Sequence, residues 1–371
     1  MIRILQSVSN MDRGGIETML MNFYRNVDRT QVQFDFLANK PQPGDYDEEI
    51  RALGGRVFVS PGFKSYRKYV AYMTELFAQN PEYKIIHTHN GSLMLYALRS
   101  AQKNNIPIRI AHAHATAVPV GLKNEVKKLI RPMIKYAATD YWGCSDAAGK
   151  FYFSEKRWNR RHELIHNAIN VPDFLFDEQK RASIRGQYGF GDKRVIGHVG
   201  RLAPQKNQMK LLEVFAVVHK TDPNTHLVII GTGELEAKLK AHAGELGIEH
   251  DVTFTGVLSN VNEWYSAFDV FVMTSLYEGL PVVAVEAQAA DLPCVLCDTI
   301  TPEVKITDNV RFKGLRDSAD VWAKAILDCP AQPRVSRADE LKKTGYDIKA
   351  EALRMQDLYL DLYNGLKEKQ L

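Results

Sequence analysis

Short apolar runs alternate from end to end with longer stretches in which apolar residues recur every three or four positions. A run such as Val270-Phe271-Val272-Met273 is too short for a helix and shows no polar alternation, as expected of a strand covered on both faces. The longer stretches have the period of helices that lie on such a sheet. The pattern predicts an α/β protein with parallel sheets wrapped by helices. In the first half, strands are expected at Ile2 to Val8, Val32 to Leu37, Arg56 to Val59, Lys84 to His87, Ile108 to Ala113 and Asp140 to Gly143. In the second half they are expected at Arg194 to Val199, Thr225 to Ile230, Val252 to Phe254, Val270 to Met273, Cys294 to Leu296 and Val310 to Phe312. Between the halves, the polar, proline-ended stretch Asn167 to Pro172 reads as a linker.

A chain of 371 residues exceeds what one hydrophobic core usually supports. Two doubly wound, Rossmann-like domains are therefore expected, 1–170 and 171–347, facing a cleft; ligands of such sheets bind beyond the carboxyl ends of the strands. A single long helix is expected from Ile348 to Lys369. With 45% hydrophobic and 25% charged residues, the composition is that of a soluble globular protein rather than a fibre or a disordered chain. The amino terminus lacks the apolar core of a signal peptide, and no apolar run approaches the roughly 18 residues that span a bilayer, so a cytoplasmic location is expected. Cys144, Cys294, Cys297 and Cys329 are too few for a disulfide framework. Cys294 and Cys297 form a Cys-x-x-Cys, but it sits in an expected core strand and no second pair completes a zinc site.

The most informative segment is Glu278-Gly279-Leu280-Pro281-Val282-Val283-Ala284-Val285-Glu286. It places two carboxylates eight positions apart across the entry to a helix. With Pro281 at the first helical position, Leu280, Val282 and their neighbours are expected to aim backbone amides at an anion such as a phosphate. Glu286, further along, is suited to accept hydrogen bonds from the hydroxyls of a ribose, and Glu278 from another polyol. Arg201 and Lys206 follow the strand Val195 to Val199, where two fixed cations suit a diphosphate. Gly14 and Gly15 follow the first strand and open a helix, so their amides are expected close to a phosphate oxygen. The dinucleotide fingerprint is absent, because Gly231-Thr232-Gly233-Glu234 lacks a third glycine. The one Asp-x-Asp, Asp45-Tyr46-Asp47, precedes Glu48 and Glu49 in what reads as an acidic helix start rather than a metal site. Two His-x-His pairs, His87-Thr88-His89 and His112-Ala113-His114, end strands; the carboxylates that usually complete a metal site are not nearby in sequence.

Glu278 to Glu286 matches the Glu-x7-Glu signature of retaining glycosyltransferases. Val199-Gly200-Arg201-Leu202-Ala203-Pro204-Gln205-Lys206-Asn207 and Gly14-Gly15-Ile16-Glu17 match two further marks, in order. Along essentially its whole length the chain thus resembles glycosyltransferase family 4, in its bacterial capsular and exopolysaccharide branch. The resemblance implies the GT-B fold, with the last helix packing back on the first domain. It implies a metal-independent retaining transfer, without a cofactor, from a nucleotide sugar, most commonly a UDP-sugar, by front-face attack. It assigns Gly14, Gly15, Gly200, Arg201 and Lys206 to donor binding, with Gly231 and Gly233 shaping a turn beside the nucleotide and the segment after Val252 passing near the base. Glu278, Gly279, Leu280, Pro281, Val282 and Glu286 complete that set. His114 is the expected catalytic histidine with Glu278, Arg201 and Lys206, and His112 is the alternative; His89, Asn90 and His112 are expected on the acceptor side. A nucleotide-sugar 2-epimerase of the same fold and a non-catalytic nucleotide-sugar binder are the competing readings.

The net charge is only +4, but it is uneven. Between Gly121 and His162 ten Lys or Arg face four acids, and Lys123 to Lys135 spaces Val126, Leu129, Ile130, Met133 and Ile134 for an amphipathic helix. Such a surface suits an anionic membrane or a lipid-linked diphosphate such as an undecaprenyl-linked acceptor. No nucleic-acid-binding motif accompanies the charge, so nucleic acid is not expected as a partner.

Overall fold

The computed structural model describes residues 1–116, 122–160, 162–331 and 333–368. Contacts divide the chain into two units, Met1–Ala168 with Ile348–Leu371, and Ile169–Asp347.

The first unit holds a seven-stranded sheet of β1 (Ile2–Val8), β2 (Val32–Ala38), β3 (Val57–Val59), β4 (Ile85–Thr88), β5 (Ile108–Ala113), β6 (Asp140–Gly143) and β7 (Glu163–Leu164). Every pairing is parallel, in the order β3-β2-β1-β4-β5-β6-β7. The strand order reverses between β1 and β4, and at such a switch point the flanking loops part and leave room for a ligand. The two-residue β7 carries no apolar run, and the pattern of the sequence does not announce it.

The second unit repeats the scheme with six parallel strands, β8 (Arg194–Val199), β9 (Thr225–Ile230), β10 (Val252–Gly256), β11 (Val270–Met273), β12 (Cys294–Cys297) and β13 (Val310–Lys313). Their order, β10-β9-β8-β11-β12-β13, puts the switch point between β8 and β11. The four cysteines are buried thiols, Cys294 and Cys297 within β12.

The last helix, Ile348–Glu368, belongs to the first unit, where it lies against the helix Gly15–Asn26. Its residues Ile348, Ala352, Met355 and Tyr359 are fully buried in the core that also contains Phe34 and Trp142. The spacing of four, three and four places them on one face of the helix.

The basic segment differs from the single helix expected. An α-helix spans Leu122–Ile130, and Arg131–Tyr136 continues as a 3-10 turn. Pro132 accounts for the change, since it has no amide hydrogen to donate and crowds the residue before it. The side chains of Lys123 and Val126, together with Arg161 and Lys369, lie outside the described residues. No described helix is long and apolar enough to cross a membrane.

Candidate functional site

In the second unit the loops leaving β8 and β11 meet at the switch point. After β8, Gly200 and Arg201 lead into the 3-10 turn Pro204–Lys206, and Asn207 takes a left-handed conformation before the helix Gln208–Thr221. Leu276 N donates to Gln205 O at 2.8 Å, Gln205 Nε2 donates to Tyr277 O at 3.0 Å, and Thr274 Oγ1 donates to Asn207 O at 2.9 Å. These bonds sew the two loops together and set Lys206 Nζ 2.7 Å from Glu278 Oε1. Gln205 Nε2 reaches the other oxygen, Oε2, at 3.3 Å. Both charged side chains are largely buried, at 17% and 9% exposure, so the pair forms a fixed floor rather than a mobile surface contact. Arg201 contrasts with it. Its side chain is 72% exposed and, among the described residues, pairs with Glu234 at 2.9 Å. An ion pair of that kind contributes little and leaves the guanidinium free to turn toward an anion.

Two glycines are required by backbone approach. Gly231 has φ +132°, and a Cβ there would lie 2.2 Å from Gly200 O; one on Gly233 would lie 2.2 Å from Leu202 O. The loop after β9 can therefore press against the loop after β8 only without side chains at these positions. Val252 does not join them. It begins β10 at the amino end of that strand, while Gly256 at the other end accepts from Gly231 N at 2.9 Å. Of the segment after Val252, it is therefore the end at Gly256 that meets the loop after β9.

The helix that follows Glu278 spans Val282–Ala289, with Pro281 as its cap rather than its first residue. Gly279, Leu280 and Pro281 are buried, and no side chain caps the helix. One turn along, Glu286 is 8% exposed and accepts from Tyr265 Oη at 2.6 Å. Burial pushes its carboxyl up to about 7, against the help of that hydrogen bond. An acid held in this way takes up added hydroxyl donors favourably, because each one stabilises its ionised form.

In the first unit, Gly14 caps the helix Gly15–Asn26. The carboxylate of Glu17 folds back onto this tip, 2.4 Å from where a Gly14 Cβ would sit, and burial pushes that carboxyl up to about 7. A Cβ on Gly15 would meet nothing within 4 Å, so there the absent side chain leaves open space. Asp45 and Asp47 lie at another helix start, where Asp45 Oδ2 accepts from Arg13 N at 3.2 Å.

The two His-x-His pairs come together across the neighbouring strands β4 and β5. His87 Nε2 lies 3.1 Å from His112 Nδ1, and His89 Nδ1 lies 2.9 Å from His114 Nε2. Behind them, Tyr359 Oη of the last helix is 2.6 Å from His87 Nδ1, and Gln6 Oε1 of β1 is 2.9 Å from His89 Nε2. His87, His89 and His112 are buried; His114 keeps some exposure. Burial and mutual repulsion hold His87, His89 and His112 well below the usual imidazole range, and burial lowers His114 to about 3. One nitrogen from each of His87, His89 and His112 falls within 4.8 Å of the others, close enough for a metal ion. Six of the eight ring nitrogens are already joined in hydrogen bonds. His89 and His112 therefore sit behind His114, inside the protein, rather than presenting their rings to an acceptor. Asn90 links to Ser7 Oγ at 3.1 Å, at the end of β1.

Sequence reasoning missed Gln6, Glu17, Gln205, Tyr265 and Tyr359. Gln6 announced itself as a polar residue within an apolar strand, and Glu17 and Gln205 lie inside the quoted segments Gly14 to Glu17 and Val199 to Asn207.

Known proteins resemble this chain in sequence and fold. The sequence model described as Glycosyltransferase Family 4 matches residues 13–171, and that described as Glycosyl transferases group 1 matches residues 180–347. The chain is 35% identical over 375 residues to the putative glycosyltransferase EpsF of Bacillus subtilis, covering 99% of this chain and 97% of that protein. It is 26% identical over 225 residues, 58% of each chain, to an Escherichia coli protein named UDP-Gal:alpha-D-GlcNAc-diphosphoundecaprenol alpha-1,3-galactosyltransferase. The crystal structure of HepE from Anabaena in complex with UDP-glucose superposes over all of both chains with a TM-score of 0.72 at 17% identity. The chain belongs to glycosyltransferase family 4, in the branch of bacterial capsule and exopolysaccharide biosynthesis, and is a glycosyltransferase of the GT-B fold.

Proposed function

We propose that the protein transfers a sugar from a UDP-sugar, with retention of anomeric configuration, to a glycan or undecaprenyl-linked acceptor. The observation that carries this reading is the buried Lys206–Glu278 pair joining the loops of β8 and β11. It fixes a cation where a nucleotide diphosphate leaving group would gather charge, with the helix tip at Val282 and the exposed guanidinium of Arg201 as further donors. Glu286 then takes the ribose hydroxyls. The first unit serves the acceptor and the second the donor, with His114 as the catalytic histidine and a donor phosphate oxygen taking the acceptor proton. The UDP-glucose complex of HepE and the lipid-linked acceptor in the name of the E. coli relative favour these choices of donor and acceptor. Product analysis by NMR after incubation with a panel of nucleotide sugars tests the reading; an inverted anomeric linkage overturns it.

Charge stabilisation by Lys206, Arg201 and backbone amides needs no divalent ion. Activity is therefore expected to persist in EDTA, and a strict requirement for Mn²⁺ or Mg²⁺ would contradict the donor site.

The basic segment supports work at the inner face of the cell membrane. Leu129 is 76% exposed, and Met133 and Tyr136 also face solvent, instead of packing into the core as Ile134 does. Arg131 lies 4.1 Å from the ring centre of Phe151, and Lys135 4.9 Å from that of Tyr136, so cations and apolar groups share one surface. Binding to vesicles containing anionic lipid is expected and should be lost at high salt. Leu129→Glu with Lys128→Glu should abolish it; equal pelleting of that variant would exclude this face.

A further inference from the structure

The hydrogen bonds behind His114 converge on one amide. Gln6 Nε2 donates to Tyr359 Oη at 3.1 Å, and Gln6 Oε1 lies 2.9 Å from His89 Nε2. A neutral imidazole carries one N–H and one lone pair, so each bond in the chain dictates the next. Toward His114, Gln6 Oε1 is an acceptor, so His89 must carry its proton on Nε2. His89 Nδ1 is then a lone pair and accepts from His114 Nε2–H at 2.9 Å. That leaves His114 Nδ1 as a lone pair, with no hydrogen-bond partner among the described residues.

Toward His112, Tyr359 Oη already accepts from Gln6 and gives its own hydrogen to His87 Nδ1. His87 Nε2–H then donates to His112 Nδ1, and the remaining N–H of His112 is its buried, unpartnered Nε2. Reversing this second branch alone would leave the Tyr359 hydroxyl hydrogen without an acceptor as well, stranding two buried groups instead of one. Turning the Gln6 amide over reverses both branches together. The free nitrogens of His114 and His112 therefore always have opposite character, and the amide decides which is which.

We propose that Gln6 is a positioning residue that fixes the proton of His114 on Nε2, so that His114 offers the Nδ1 lone pair to a hydroxyl of the bound sugar. The functional half rests on the catalytic role proposed above for His114. The rings are neutral because they are buried together, so the site favours an uncharged hydroxyl over an acidic sugar's carboxylate, which has no hydrogen to give. Gln6 contacts no substrate in this scheme and acts through His89.

Nitrogen NMR of protein labelled with 15N-histidine reads the tautomers without reference to activity, with the His114 signals assigned by their loss in His114→Ala. In the unaltered protein, His114 Nδ1 is expected to be unprotonated. Gln6→Met removes the amide at similar volume, and His114 should then populate the other tautomer, with kcat/KM falling roughly tenfold, the worth of one hydrogen bond. Tyr359→Phe removes a buried hydrogen bond from the same cluster, so it controls for structural damage. It should release His87 and His112 while leaving the His114 tautomer unchanged. A proton on His114 Nδ1 in the unaltered protein, or a His114 tautomer that ignores Gln6→Met, overturns the assignment to Gln6. Unaltered activity of His114→Ala would instead overturn the catalytic role of His114, whatever the tautomer measurements show.

Discussion

Lys206→Ala is expected to lower turnover about a hundredfold while the protein still folds, the loss typical of one preorganised charge contact at a site of developing charge. The ammonium is held 2.7 Å from Glu278 Oε1 on a turn tied to the neighbouring loop by hydrogen bonds, so little reorganisation is needed when the leaving group departs. The substitution also leaves Glu278 buried with only part of its partners, which destabilises the fold independently of chemistry. Adding Glu278→Gln removes that orphaned charge. The double variant should regain thermal stability without regaining turnover. Initial-rate kinetics and thermal melts of both proteins separate the effects, and a single variant with normal kcat would remove Lys206 from catalysis.

The second large effect is expected at Glu286. Two charge-assisted hydrogen bonds to ribose hydroxyls are each worth roughly 1.5 to 3 kcal/mol, so Glu286→Gln should weaken UDP binding about a hundredfold by calorimetry. The same change should stabilise the empty protein in alkaline buffer. Folding raises this carboxyl from 4.5 to about 7, so between those values the folded chain holds a proton that the unfolded chain has lost. Stability from this group is therefore undiminished below pH 4.5 and declines until about pH 7, by on the order of 1 to 3 kcal/mol. Glutamine does not titrate, so the variant should melt above the unaltered protein at pH 8 and draw level with it near pH 4.5. An advantage that does not change with pH would show that Glu286 is not held as an acid. Undiminished UDP affinity would place the ribose elsewhere.

The strands were legible because a doubly covered strand must be apolar at consecutive positions, as in Val270 to Met273. β7 was not, since two residues, Glu163 and Leu164, offer no pattern. The periodicity of the last helix was plain in the sequence. Its contacts in the first unit become visible only in the burial of Ala352, Met355 and Tyr359. At the proposed donor site, residue types and strand-end positions singled out Arg201, Lys206 and the two glutamates. Their pairing was not readable, because Lys206 and Glu278 meet across 72 positions through loop hydrogen bonds that no local propensity encodes. Val252 itself marks where a strand begins, and the loops gather where strands end, so which residue of the segment after Val252 reaches the loops was not readable from the sequence. The histidine pairs were legible as pairs, but neither their union nor its dependence on Gln6 and Tyr359 has a sequence signature.

The placement of residues 348–368 in the first unit has a consequence for biosynthesis. The ribosome completes the sheet strands of that unit and then makes roughly 180 further residues before the helix bearing Met355 and Tyr359 emerges, a delay of roughly 10 to 40 s at ordinary elongation rates. Throughout that interval the nascent amino-terminal half lacks the cover for its greasy flank near Phe34 and Trp142. The carboxy-terminal half, continuous in sequence, has no such wait. Premature termination just short of Ile348 should consequently yield one sound half and one that depends on holdase chaperones.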